Sequence, residues 1–175
     1  LYEDGQRHNC VFVGFEGEQP RYATLRGTLS EKRFMGEVPG SDKRFSFAVP
    51  LKAGSQTVCV FECAIDALSY LTILKMRGQD WRKANCLSLA GIYRPGKGGR
   101  FRIPAALAQY LKDNPGVRQI VLCLDNDEPG RTASAAIKEA LAGYEVIDKP
   151  PRKGKDYNEY LQIRQRAMRQ DRARA

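Results

Sequence analysis

The sequence predicts an α/β domain, a mostly parallel sheet with helices on both faces, preceded by a small antiparallel β segment. Two observations predict it. From residue 56 onward, short continuously apolar runs alternate with stretches of helical spacing, as in strands joined by right-handed crossovers. Before residue 50 the runs are short and alternating and are separated by turn residues, as in hairpins. The expected organisation is a β-rich subdomain of two hairpins over 1–54, the α/β domain over 55–161 and a basic helical extension or tail over 162–175.

In chain order, residues 10–15 and 21–26 flank the turn Glu16-Gly17-Glu18-Gln19-Pro20, which predicts the first hairpin. Residues 33–38 and 43–49 flank Pro39-Gly40-Ser41-Asp42 and predict the second; 52–55 reads as the joint to the next unit. A buried strand is expected over 57–61, then a helix over 65–76 on the spacing of Leu68, Leu71 and Leu74, stopped at Gly78. A second strand follows over 85–90. Pro104 suits the first position of a helix running to Leu111, and Asn114-Pro115-Gly116 ends it. The third strand is expected over 117–124, an Ala-rich helix over 131–141 with Gly143 beyond it, and a fourth strand over 144–147. Asp156 opens a last helix toward Gln170.

Composition narrows the class. With 42% hydrophobic residues in 175, the chain has material for one full core. Its 29 Lys and Arg against 20 Asp and Glu leave a net charge of +9, which favours a polyanion such as nucleic acid as partner. Five cysteines include no Cys-x-x-Cys pair and lie mostly in apolar runs, so free thiols in a reducing cytoplasm are expected. His8 and Cys10 form no zinc spacing. No apolar stretch approaches the about 20 residues of a membrane span, and no signal peptide is read. Beginning at Leu1 within a polar segment, the chain is expected to be part of a longer polypeptide.

Against this basic background stand two acidic clusters, each following a predicted buried strand: Glu62-Cys63-Ala64-Ile65-Asp66 and Asp125-Asn126-Asp127-Glu128-Pro129-Gly130. Carboxylates at strand carboxyl ends lie where open α/β sheets build their sites, and two adjacent strands would aim both clusters at one point. Such a point needs a cation, and Mg²⁺, or Mn²⁺ as a substitute, suits oxygen ligands while leaving positions for phosphate. The bland alternatives are a solvated turn for Asp125 to Gly130 and helix capping for Asp66. An EF-hand fits worse, with Ala136 where its bidentate Glu belongs. A carboxylate crowded by others, as Glu62 would be, has the raised pKa of a general acid or base.

The basic loop Tyr93-Arg94-Pro95-Gly96-Lys97-Gly98-Gly99-Arg100-Phe101-Arg102 mimics a P-loop but has Gly98 where a Ser or Thr should hold Mg²⁺. Arg94, Lys97, Arg100 and Arg102 are candidate phosphate contacts, with Tyr93 and Phe101 as stacking platforms; plain solvation is the alternative. Arg131, Lys153 and Lys155 are further nucleic-acid candidates beside the acidic motifs. The five arginines from Arg164 onward read as a solvated helix and tail.

The third acidic motif is Asp156-Tyr157-Asn158-Glu159-Tyr160-Leu161, in which Asp156 and Glu159 also suit a capping box. Together the three motifs resemble the Toprim domain shared by topoisomerases and bacterial DNA primases, over residues 56–161. That family places a Glu after its first strand and Asp-x-Asp after its third. The primase form of the first motif, Glu-Gly-x-x-Asp, matches Glu62 and Asp66 with Cys63 in the glycine position. The second matches Asp125, Asp127 and Gly130. The third, Asp-Pro-Asp-Glu-Tyr-Leu, matches with Asn158 in place of its second Asp, which keeps an oxygen ligand but removes a charge.

The resemblance implies a Toprim-like fold and Mg²⁺-dependent nucleotidyl transfer on DNA in a bacterial primase-like protein. DNA, expected single-stranded, and nucleoside triphosphates are the implied partners, with no membrane. It implies catalytic Glu62, Asp66, Asp125 and Asp127, and a metal held by Glu62, Asp125, Asp127 and Asp156. A Toprim nuclease and a DNA-binding Toprim module without turnover are the alternatives.

Overall fold

The computed structural model describes residues 2–4, 8–28, 34–49, 55–92 and 101–174. Two sheets organise them. Strands β1 (Tyr2–Asp4), β2 (Asn9–Glu16), β3 (Gln19–Arg26) and β4 (Met35–Glu37) form an antiparallel sheet in that order. The second sheet has the order β5-β7-β6-β8-β9, from β5 (Ala48–Val49), β6 (Thr57–Phe61), β7 (Asn85–Ser88), β8 (Gln119–Leu122) and β9 (Glu145–Asp148). Only β5 is antiparallel to its neighbour there. Helices α1 (Ala64–Met76), α2 (Ala105–Asp113) and α3 (Glu128–Ala140) join its parallel strands, and α4 (Tyr157–Arg174) closes the chain. No helix among the described residues is long and apolar enough to cross a membrane.

The central parallel strands β6, β7 and β8 are buried on both faces, which is why they read as continuous apolar runs, while the edge strand β9 is largely exposed. Val58, Val60, Leu87, Ile120 and Leu122 face one cluster, with Leu107 and Leu111 of α2 and Ile137 of α3. The alternate residues Cys59, Phe61, Cys86 and Val121 face Tyr70 and Ile73 of α1 and Tyr157 and Tyr160 of α4. A chain that moves one way from β6 to β7 and back past β6 to β8 must place α1 on the face opposite α2 and α3 if every crossover is right-handed. The cysteines are free thiols, with Cys59, Cys86 and Cys123 buried.

The small sheet meets the large one through a third apolar cluster. Phe12 of β2 stacks edge-on against Phe47 with ring centroids 5.5 Å apart, and both pack on Ala64 at the start of α1. Gly14 permits this approach, because a Cβ there would stand 1.7 Å from the Phe45 carbonyl oxygen.

Three expectations need correction. The first hairpin forms as β2 and β3, but the second does not. Its first half shortens to β4, which pairs with β3; its second half is a 3-10 turn, Lys43–Phe45, followed by β5, which joins the large sheet against β7. The reason lies in the side chains: Phe45, Ser46 and Phe47 are all buried, where a half-exposed hairpin would alternate, and Asp42 caps the turn by accepting from the Arg44 N–H at 3.0 Å. Strand β1, short and polar in sequence, gave no apolar signal and was not expected. Helix α3 starts at Glu128 instead of 131, because Asp127 caps it and Pro129 needs no donor in the first turn.

Candidate active site

Strands β6 and β8 are neighbours at the point where the strand order reverses, since β7 flanks β6 on its other side. Such a switch point opens a crevice beyond the carboxyl ends of the strands. Glu62 directly follows β6, and Asp125 and Asp127 follow β8, so both acidic clusters reach this crevice.

Glu62 is held at both ends. Its Oε1 accepts from the Asp125 backbone N–H at 3.1 Å, and its own carbonyl accepts from the Gly91 N–H at 2.9 Å. Burial, then the neighbouring Asp125 carboxylate, raises its pKa from the ordinary 4.5 to about 7. Just before Gly91, Ala90 adopts φ of 56°, an uncommon conformation for a residue with a side chain.

The second cluster is arranged by Gly130 and Asp127. A Cβ at Gly130 would stand 2.1 Å from the Asp125 carbonyl oxygen and 3.0 Å from Glu62 Oε1, so only glycine lets α3 start this close to both. Asp127 Oδ1 accepts from the Gly130 N–H at 2.9 Å as the helix cap. Its Oδ2 and Oδ2 of Asp125 each lie 3.3 Å from Nζ of Lys155, which bridges the two carboxylates. Burial raises the pKa of Asp125 even with the ammonium beside it, and the Asp127 and Asp125 carboxylates raise that of Lys155. The Asn126 N–H donates to the Lys155 carbonyl at 2.6 Å, tying the loop after β8 to the approach to α4.

Other motif residues serve the frame. Asp66 is buried and turned toward α4: its Oδ1 accepts from the Asn158 N–H at 3.0 Å and its Oδ2 from the Cys63 thiol at 2.9 Å. Burial raises Asp66 to about 6, and burial together with Asp66 pushes the Cys63 thiol up to about 12. Asp156 caps α4, accepting from the Glu159 N–H at 2.7 Å, while Glu159 Oε2 accepts from the Lys155 N–H at 2.6 Å. This is close to the capping box read from the sequence, with the reach-back bond moved one residue earlier.

Of the expected phosphate contacts, Arg94, Lys97 and Arg100 lie outside the described residues. Arg102 and Lys153 are exposed. Arg131 is turned inward: Nη2 donates to the carbonyls of Leu124 and Asp125 at 3.0 Å each, Nε to that of Asp125 at 3.2 Å, and Nη1 to Asp148 Oδ2 at 2.5 Å. It clamps the end of β8 and links it to β9. Sequence reasoning missed this clamp and the bridging role of Lys155. The nearest signal was the position of each cation beside an acidic motif, which suits a phosphate contact equally well.

Among the described residues no three His, Cys, Asp or Glu side chains gather closely enough to hold a metal on their own. The donor set nevertheless suits a hard cation. Asp125 and Asp127 offer oxygens alone, a cationic group already sits between them, and Mg²⁺ is commonly held by one or two carboxylates completed by water and substrate phosphates.

Comparison with known proteins follows the same lines. The family model described as Toprim-like matches residues 59–161, more than half of the chain. The chain belongs to the Toprim-like family. Outside the Toprim-like region, residues 1–55 match a family described only as a protein of unknown function, DUF3991. No curated protein matches the sequence. Among solved structures, the primase fragment of the bacteriophage T7 primase-helicase is similar with a TM-score of 0.60 at 18% identity, over 96% of this chain and 64% of that one. The Aquifex aeolicus primase, comprising zinc-binding and RNA polymerase domains, gives 0.55 at 17%, over 93% and 39%. The T7 primase domains in a lagging-strand polymerase complex, bound to an RNA/DNA hybrid and dTTP, give 0.55 at 18%, over 96% and 78%. The chain thus spans less than two thirds of the first two proteins. At these identities the likeness is one of fold, and it extends beyond the Toprim-like region to the small sheet.

Proposed function

We propose that this chain is the catalytic part of a primase-like nucleotidyltransferase that joins nucleotides on a DNA template with Mg²⁺, or Mn²⁺ in its place. The observation that carries this reading is the meeting of Glu62, Asp125 and Asp127 at the sheet's switch point. The fold match to primase fragments over nearly the whole chain supports priming over the nuclease alternative, which needs no small sheet beside the Toprim-like region.

Asp125 and Asp127 would hold the cation, completed by water and substrate phosphates, and Glu62 and Asp156 would have to draw closer to serve as further oxygen donors. When bound, it would neutralise charge developing on phosphate oxygens. Glu62, whose pKa burial and Asp125 raise to about 7 before a cation binds, is the group that would accept the proton of the attacking hydroxyl. Asp66 holds α4 in register, which keeps Asp156 and Lys155 beside the crevice. Lys153, Lys155 and Arg102 contact phosphates of single-stranded DNA or of a nucleoside triphosphate, joined by Arg94, Lys97 and Arg100. Free thiols suit work in the cytoplasm.

The test is to supply single-stranded template, nucleoside triphosphates and Mg²⁺ to the wild type and to the Asp125→Asn, Asp127→Asn double variant. Templated extension by the wild type alone is the expected result. Cleavage of labelled DNA without extension would make the protein a nuclease, and metal-dependent DNA binding without either product a binding module.

A further inference from the structure

A second cavity lies away from the carboxylates, between the latter half of α1, the segment after β9 and the start of α4. It has a volume of about 280 Å³; Arg77, Lys149 and Arg152 bring charge to its lining, and Tyr70, Tyr157, Tyr160 and Gln79 the other polar groups. Arg77, the C-cap of α1, lies eleven residues beyond Asp66, or roughly 16 Å along the axis, so the cavity's arginine end is far from the carboxylates while Tyr70 and Tyr157 stand between the two.

The polar groups of this cavity are almost all donors. Lys149 Nζ donates to the Tyr70 hydroxyl at 3.2 Å, and Arg77 Nη2 donates to the Tyr160 hydroxyl at 2.9 Å. The Tyr160 hydroxyl, having accepted from Arg77, keeps its own proton to donate, whereas the Tyr70 hydroxyl is also engaged with the Cys59 thiol. Tyr157 uses its proton on the Lys149 carbonyl at 3.0 Å, which fixes the lysine's backbone at the rim. No carboxylate lines the cavity, and among the described residues Arg77, Lys149 and Arg152 are in no ion pair with Asp or Glu.

Three cations gathered without an anion repel one another, and ordinary surface packing would separate them or interleave acids. The tyrosine rings, each less than a tenth exposed, hold the hydroxyls in place through edge-on contacts of Tyr157 with Tyr70 and Tyr160. A fixed set of donors in a concave, partly dry pocket matches an anion with several oxygens. A volume of about 280 Å³ suits a small ligand better than a length of polymer backbone.

We infer that this cavity binds a small phosphate anion of the di- or triphosphate class, independently of the carboxylate site and without a divalent cation. Arg77 and Arg152 offer forked guanidinium donors, Lys149 a point charge, and Tyr160 a hydroxyl proton. The source is either free inorganic polyphosphate or the phosphate tail of a nucleotide, which share this chemistry.

Isothermal titration with inorganic pyrophosphate and, separately, with a nucleoside diphosphate, both in a chelating buffer, tests the proposal on the full chain. Binding is expected in the wild type and in the Asp125→Asn, Asp127→Asn variant alike. It should weaken on the order of tenfold or more in Lys149→Gln, Arg152→Gln, since each charge-assisted bond is a strong one. Because Lys149 touches Tyr70, the single Arg152→Gln variant, altered only at an exposed side chain, serves as the second probe and should weaken binding in the same direction. Equal affinity for the two ligands would assign recognition to the phosphates, and tighter nucleotide binding would add the base; either supports the inference. No binding to wild type, or binding unchanged in both cavity variants, would overturn it. So would loss of single-stranded DNA affinity in those variants with no pyrophosphate binding, which would make the surface a polymer contact.

Discussion

Three acidic motif residues and the aromatic floor beneath them share the same three segments, yet the carboxylates and the aromatics have opposite energetics. Glu62 adjoins Phe61, Asp66 lies one turn before Tyr70, and Asp156 adjoins Tyr157. The aromatics pack with centroids 5.3 to 5.7 Å apart and are buried, which stabilises the fold. Glu62, Asp66 and Asp125 are partly or largely desolvated carboxylates with raised pKa values, which costs stability. A site is thus carried by a floor one residue or one turn away, and changes to the two should act differently.

Removing the floor should have the largest effect. Phe61 is fully buried between Tyr70 and Tyr157, and Phe61→Ala should cost about 3–5 kcal/mol, read as a lowered denaturant midpoint with the m-value unchanged. A loss under 1 kcal/mol would mean that the floor does not carry the site.

Gly130 sits where the two regions join, and Gly130→Ala tests that junction. Its methyl group would have to displace backbone, the Asp125 carbonyl, so about 1–3 kcal/mol should be lost together with divalent-cation binding. Retained cation affinity with lowered stability would separate the junction from the site.

The smallest effect belongs to a site residue and has the opposite sign. Glu62 has a folded pKa of about 7 against 4.5 ordinarily, so the folded state binds more protons between those values. Its contribution to stability is fully present below pH about 4.5 and is lost as pH rises through about 7. Stability should therefore fall across that window and fall less in Glu62→Gln, which should be the more stable protein at pH 8 by on the order of 1 kcal/mol after solvent screening. Thermal melts of both proteins from pH 5 to 8 measure it; parallel slopes would remove the perturbed carboxylate.

The sequence made the large sheet legible because burial on both faces leaves continuous apolar runs, as at Thr57–Phe61 and Gln119–Leu122, whereas Tyr70 and Tyr157 of the floor stand outside such runs and do not read as core. Glu62, Asp125 and Asp127 could be placed together because strand ends in such sheets converge on the switch point. The inward turn of Asp66 toward Asn158 and the clamp of Arg131 on Leu124 depend on partners brought near only by folding. The helical start at Glu128 was hidden because Asp125-Asn126-Asp127 favours turns as strongly as it favours caps. Residues 48–49 lay within an expected strand, but two residues carry no period to show that β5 joins the large sheet.

That short strand has a consequence for how the protein can be divided. Ala48 and Val49 cover the outer edge of β7, and the Phe47 carbonyl accepts from the Ser88 N–H at 2.9 Å. A piece beginning after residue 54 would leave β7 as a bare apolar edge, open to pairing with another copy. The segment that follows the small sheet therefore supplies the large sheet's edge strand, and the unit that can be moved between larger proteins without inviting aggregation contains both sheets.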